Sequence, residues 1–231
     1  MRTIRKRLAP TALAAALAAA AGGAQAEISA NVAITSDYVF RGVSQTDENP
    51  AIQGGFDYSH DSGFYAGVWG SNVDGGLYNG ASAEFDLYFG YSGELSGVGI
   101  DIGFLRYNYA GSSPSTDYDE IYFGVSYGPV SATYYRGVDV GNDRLGDYFD
   151  LSAEYEFEGV ATVSAHVGWW NAVSGGQDYR DYKLAVSKEL LGLGFELAYT
   201  DTNMNSSECT AFAGSTKWCD GRVTLTVSKE R

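Results

Sequence analysis

Between Ala81 and Arg106 the chain alternates apolar and polar side chains so regularly that only one kind of backbone suits it. Ala81, Ala83, Phe85, Leu87, Phe89 and Tyr91 interleave with Ser82, Glu84, Asp86, Tyr88 and Gly90. An extended strand turns this period of two into two different faces, and a helix of 3.6 residues per turn cannot. After the small and polar residues from Ser92 to Gly97, which favour reversal, the alternation resumes with Val98, Ile100, Ile102 and Phe104 against Asp101 and Gly103. The unit reads as a β-hairpin. One face carries Phe, Leu and Ile, and the other repeatedly carries carboxylates. The apolar face could meet the core of a soluble sandwich or a lipid bilayer, and the rest of the chain has to decide which.

From Glu27 a first strand runs through Ile28, Ala30, Val32 and Ile34 and reads on to Gly42, and the same rhythm returns downstream. Phe149, Leu151, Ala153, Tyr155 and Phe157 alternate with Asp150, Ser152, Glu154 and Glu156, and Ala161, Val163, Ala165, Val167 and Trp169 with Thr162, Ser164, His166 and Gly168. Leu193, Phe195, Leu197 and Tyr199 stand opposite Glu196, and Val223, Leu225 and Val227 opposite Arg222, Thr224 and Thr226. Short reversals fall at His60–Gly63, Ser92–Gly97, Gly128–Pro129, Glu158–Gly159 and Leu190–Gly192. Longer polar connections centre on Ser44–Pro50, Asn72–Gly80, Gly111–Asp117, Gly137–Gly146, Asn171–Asp178 and Asp201–Gly221. Short turns on one side and long loops on the other are the habit of outer-membrane barrels. A soluble sandwich has no reason to segregate them. The expected fold is therefore all-β: a transmembrane, antiparallel, up-and-down β-barrel with short periplasmic turns. Counting gives twelve strands, with ten as the alternative, and an even number puts both termini on the periplasmic side. Aromatics near strand ends (Tyr38, Phe40, Tyr58, Phe64, Tyr127, Tyr134, Trp169 and Tyr199) suit interfacial girdles, although Tyr is also simply a good strand former.

Residues 1–26 read as a secretory signal. Arg2, Arg5, Lys6 and Arg7 precede an apolar run from Leu8 to Ala21, and Ala24-Gln25-Ala26 fits a small-x-small cleavage site. The run is too short to span a bilayer, which takes about 20 residues. The remainder, 27–231, is the expected barrel. Without the signal it carries 11 basic residues against 29 acidic ones, a net charge of −18, which excludes nucleic acid as a partner.

If the apolar face meets lipid, the opposite face lines a lumen. It collects Asp37, Asp57, Glu84, Asp86, Asp101, Glu120, Asp150, Glu154, Glu156 and Glu196 against Arg41, Lys183 and Arg222. Rings of carboxylates set a negative field at close quarters, so the expectation is a narrow passive diffusion pore that prefers cations. Pairing of these acids across strands in a filled interior is the competing reading. Inward Tyr65, Trp69, Tyr88, Tyr122 and Tyr135 could form a slide for an organic solute or merely fill the lumen. Ser164 and His166 share a face, with Glu154 and Asp150 alongside, which is the residue set of a Ser/His hydrolase; such neighbours also arise by chance in a polar lumen, and no enzyme is expected. Cys209 and Cys219, in the last long loop of an exported chain, are expected to form a disulfide. No cofactor is implied, and two lone thiols make a poor zinc site. Acidic loop residues such as Asp47, Glu48, Asp74, Asp139, Asp143, Asp147 and Glu208 keep the loops solvated or meet divalent cations at a lipopolysaccharide surface. The long Asp201–Gly221 loop is the candidate to fold inward and narrow the lumen.

One stretch carries a family likeness. Thr35-Ser36-Asp37-Tyr38-Val39-Phe40-Arg41-Gly42-Val43-Ser44-Gln45-Thr46, followed by Pro50-Ala51-Ile52-Gln53-Gly54-Gly55-Phe56-Asp57-Tyr58, resembles the start of the TorF-like porins, exported outer-membrane proteins of proteobacteria. The resemblance covers roughly the first quarter of the mature chain, and the later hairpin rhythm agrees with it. It implies an outer-membrane barrel in contact with lipid, lipopolysaccharide, the barrel-assembly machinery and small solutes or cations. Members of that family tend to end on an aromatic residue, whereas this chain ends Lys229-Glu230-Arg231, which bears on recognition by that machinery. A barrel that acts through its external loops, as an adhesin or receptor, is the alternative function. Oligomeric state is open, because lipid-facing and subunit-facing apolar residues look alike.

Overall fold

Wherever alternation runs unbroken, the segment pairs with its neighbour in sequence, and the pairing closes on itself. A computed structural model of the chain describes residues 26–138, 146–173 and 175–231. Apart from Ala26, the expected signal sequence lies outside these residues, as do Asp139 and Asp143. The barrel strands are β1 (Glu27–Thr35), β4 (Ala51–Ser59), β5 (Phe64–Asn72), β6 (Ala83–Leu95), β7 (Val98–Ala110), β8 (Tyr118–Tyr127), β9 (Val130–Val138), β10 (Gly146–Phe157), β11 (Ala161–Ala172), β12 (Tyr179–Leu190), β13 (Leu193–Thr202) and β14 (Arg222–Glu230). All neighbours are antiparallel, and β1 closes the ring by pairing with both β4 and β14. Closure leaves no edge strand. The fold is a closed twelve-stranded antiparallel barrel.

The faces fall as the alternation dictates. Ile28 (74% exposed), Phe56 (63%), Phe89 (59%) and Leu184 (56%) point outward, and Glu84, Asp86, Glu120 and Asp181 inward, where they are almost fully covered. A folded chain that turns its large apolar side chains out and its acids in is the inverse of a water-soluble protein. The short reversals share one end with Glu27 and Arg231. Two are tighter than the sequence reading allowed: the strands continue to Leu95↔Val98 and Leu190↔Leu193, leaving two-residue turns. Ser92, Gly93 and Glu94 are polar enough to suggest a loop, yet they stay in the ladder opposite Asp101, Ile100 and Gly99.

The first strand departs from expectation. It stops at Thr35 instead of running on to Gly42, and residues 36–50 form a separate small hairpin of β2 (Val39–Phe40) and β3 (Val43–Ser44). Tyr38 and Phe40 are consequently not girdle residues. Tyr38 is 3% exposed, and Phe40 packs edge-on against Tyr107 inside the barrel. The last long loop contributes α1 (Ser206–Ala213), whose start is fixed by a capping box: the Asn205 side chain accepts from the Ser207 and Glu208 amides, and Glu208 accepts from the Asn205 amide.

Candidate functional site

The long-loop end of the lumen is occupied by the chain itself. Asp37 turns the backbone inward and ties the base of the hairpin together. Its Oδ1 accepts from the hydroxyls of Ser44 (2.7 Å) and Thr46 (2.9 Å), and its Oδ2 meets Arg222 Nη1 of β14 at 2.8 Å. At the tip, Arg41 and Gly42 both have positive φ (47° and 79°), which a two-residue reversal between paired Phe40 and Val43 requires. Gly42 is also where the tip abuts the wall at β12 and β13, since a Cβ there would lie 2.6 Å from both Asp181 Cβ and Thr202 Cγ2.

Arg41 reaches across the lumen. Its two terminal nitrogens each donate to one Glu120 oxygen at 2.8 Å, a bidentate pair with side chains 6% and 1% exposed. The guanidinium carbon lies 4.2 Å from the Tyr148 ring centroid, with Phe40, Tyr135 and Trp170 between 4.7 and 5.6 Å. Burial alone would favour loss of its proton, but the Glu120 carboxylate outweighs that, and the group stays protonated above its ordinary range. Tyr107 donates to Glu120 Oε2 at 3.1 Å, and Tyr179 donates to the Arg41 carbonyl at 3.1 Å.

Two other loops cover the hairpin. From the β5–β6 connection, the Asp74 amide donates to the Gln45 carbonyl at 2.7 Å, and Tyr78 donates to the Gln45 side chain. From the last loop, the Ser44 amide donates to the Trp218 carbonyl at 2.8 Å and Trp218 Nε1 to Asp47 Oδ1 at 2.6 Å. Cys209 and Cys219 are joined there as a disulfide and buried with Trp218, Met204 and Val43. The segment that enters the lumen is thus the first external loop, not the last; the last sits over it.

Towards the short-turn end the lumen acids are mostly matched with partners. His166 stands between two carboxylates, Nδ1 2.5 Å from Asp150 and Nε2 2.6 Å from Asp181, and an imidazole donates from both nitrogens only as the imidazolium. Tyr148 and Ser152 donate to Asp181 and Asp150 respectively. Lys183 meets Glu196 at 2.7 Å, Asp101 accepts from Tyr65 at 2.7 Å, and Asp57 accepts from Asn31 at 3.3 Å and from Tyr88. Tyr65 and Tyr122 also join hydroxyl to hydroxyl. Glu154 is half-buried and Glu156 exposed, close to the short-turn mouth.

The inward assignment therefore places Asp57, Glu84, Asp86, Asp101, Glu120, Asp150, Glu154, Glu156 and Glu196 on the inner side of the wall, with Lys183 and Arg222. Asp37 and Arg41 sit on the hairpin instead. Asp181 was missed although its signal was present: Tyr179, Asp181 and Lys183 alternate with Tyr182 and Leu184. Ser164 lies opposite Glu154 in the ladder, but both ring nitrogens of His166 are taken by carboxylates, so the Ser–His pairing is not formed. Outside the wall, Arg106 pairs with Asp119 at 3.2 Å near the long-loop rim. No group of three His, Cys, Asp or Glu among the described residues is placed to hold a metal ion.

A family model described as "Bacterial protein of unknown function (Gcw_chp)" matches residues 18–230. No curated protein matches the chain. Among solved structures, the KdgM porin in complex with disordered oligogalacturonate aligns with a TM-score of 0.57 at 9% identity, over 89% of this chain and 98% of that one. OccK5 (OpdH) of Pseudomonas aeruginosa aligns with a TM-score of 0.43 at 16% identity, over 86% of this chain and 62% of that one. OmpT of Vibrio cholerae aligns at 0.40 and 11% identity, over 92% and 98%. At these identities the likeness is one of fold.

Proposed function

The chain belongs to the Gcw_chp family of bacterial proteins of unknown function, and we propose that it is an outer-membrane, porin-like barrel forming a narrow, passive, cation-leaning pore whose first external loop sets the bore. The observation that carries this reading is the lumen: an inner wall rich in carboxylates, crossed at one end by a hairpin held through two ion pairs, Arg41 to Glu120 and Asp37 to Arg222. Several features support it. The outward apolar belt suits lipid, the basic and apolar start of the chain suits export, and the hairpin's own sequence is the stretch that resembles the TorF-like porins. The KdgM porin was solved with oligogalacturonate; the acid excess in this lumen argues for cationic or neutral solutes here. On the same reading the barrel reaches its membrane through the barrel-assembly machinery, and its long-loop rim meets lipopolysaccharide. It passes solutes without transforming them.

The test is single-channel conductance in a planar bilayer under a salt gradient. Small discrete steps with a cation-selective reversal potential are expected, and Glu154→Gln/Glu156→Gln should weaken the selectivity. Occlusion by the hairpin favours a second reading, a non-conducting barrel that works through its interlocked external loops. Silence from a folded barrel, persisting after the hairpin is freed by mutation, would transfer the weight to that reading.

A further inference from the structure

Beneath the hairpin, on β6, lies a pair of acids that the ion pairs described above do not use. Glu84 and Asp86 are 1% and 0% exposed. Two residues apart on one strand, they point to the same side, flanked across the ladders by Tyr109 and Tyr107 of β7. Glu84 Oε1 accepts from Tyr109 at 3.0 Å. Glu84 Oε2 and both oxygens of Asp86 have no hydrogen-bonding partner among the described residues. The charged groups that act on Asp86 are Glu84 and Glu120, and Glu120 is already committed to Arg41.

Three buried carboxylate oxygens without a protein donor are a large debt in any folded chain. Protonation does not settle it. Protonating one acid leaves the other charged, and the added O–H must itself find an acceptor. A cation shared by the two side chains would serve the unmet oxygens of both. Two carboxylates balance a double charge, and the other groups at hand, the phenols of Tyr109 and of Tyr38 from the hairpin, add only oxygen. Such a set suits a hard ion, and Ca²⁺ tolerates irregular oxygen coordination better than Mg²⁺. We propose that Glu84 and Asp86 form a buried binding site for a hard divalent cation, Ca²⁺ above all, enclosed between the β6 wall and the first-loop hairpin. The inference does not depend on whether the barrel conducts.

Calcium titration of the full chain, folded in detergent micelles and stripped with EDTA, tests this. The wild type is expected to take up one more equivalent of Ca²⁺ than Glu84→Gln/Asp86→Asn, and to show a Ca²⁺-dependent rise in unfolding temperature that the variant lacks. The amides keep the shape and remove the charge, and heat-modified gel migration verifies folding; if the double variant does not fold, Asp86→Asn alone takes its place. Binding confined to acidic external loops would leave wild type and variant equal and overturn the proposal. So would a wild type that binds no Ca²⁺, or one whose infrared spectrum shows a protonated carboxyl band that the variant loses.

Discussion

Removing Arg41 should unseat the hairpin. Glu120 is 1% exposed, and with the hairpin still seated in Arg41→Ala it would keep only the Tyr107 hydroxyl at 3.1 Å. Deleting one partner of a buried ion pair costs about 3–5 kcal/mol, most of it from the charge left behind. The barrel wall is held by its own ladders, so the loss falls on the contact between hairpin and wall. The ratio of lifted to seated hairpin should rise roughly 100- to 5,000-fold. Single-channel recording reads this directly: the variant should spend far more time in a larger conducting state than the wild type, with unchanged migration of the folded barrel on gels. Arg41→Ala/Glu120→Ala should fall closer to wild type than the sum of the single changes, because it removes the stranded charge along with the pair. A folded Arg41→Ala barrel with wild-type conductance and open time would refute the argument that this pair holds the constriction.

Two further outcomes follow from the site. His166→Ala leaves Asp150 and Asp181 facing each other without the imidazolium between them; it should destabilise the barrel by about 3 kcal/mol or more, read as a lower temperature for heat-induced unfolding, with partial recovery in His166→Ala/Asp181→Asn. An unchanged unfolding temperature would remove the histidine from the account. Reducing the disulfide, whose cysteines are 10 apart in sequence, should release about 3 kcal/mol of constraint on the last loop. Limited proteolysis would then cut within residues 203–221 while the strands stay protected, and equal cleavage with and without reductant would count against it.

Strands and faces were legible in the sequence because a period of two needs no knowledge of the rest of the chain. Phe85 and Glu84 announce opposite sides of a sheet wherever that sheet ends up. The hairpin was not legible, for the opposite reason. Tyr38, Val39, Phe40 and Val43 are good strand formers, and read locally they simply extend β1. What diverts them is Asp37 meeting Arg222, 185 residues away, and Arg41 meeting Glu120, 79 residues away. The same limit applied to the lumen charges. Alternation told which acids face inward, but not that His166 would lie between two of them, or that Glu84 and Asp86 would be left to each other.

The distances along the chain that hide the hairpin from the sequence also fix when it can form. The partners of its two ion pairs stand on β8 and β14, and both are in place only once the last strand has closed against the first. A contact of such high order cannot help to nucleate the barrel, since its loop-closure entropy is met only after the wall exists. The hairpin that follows the first strand is therefore the last to dock. Because it links the β1–β14 seam to the opposite wall, its seating works as a cross-brace, stiffening a ring that its neighbour-to-neighbour ladders leave free to flatten.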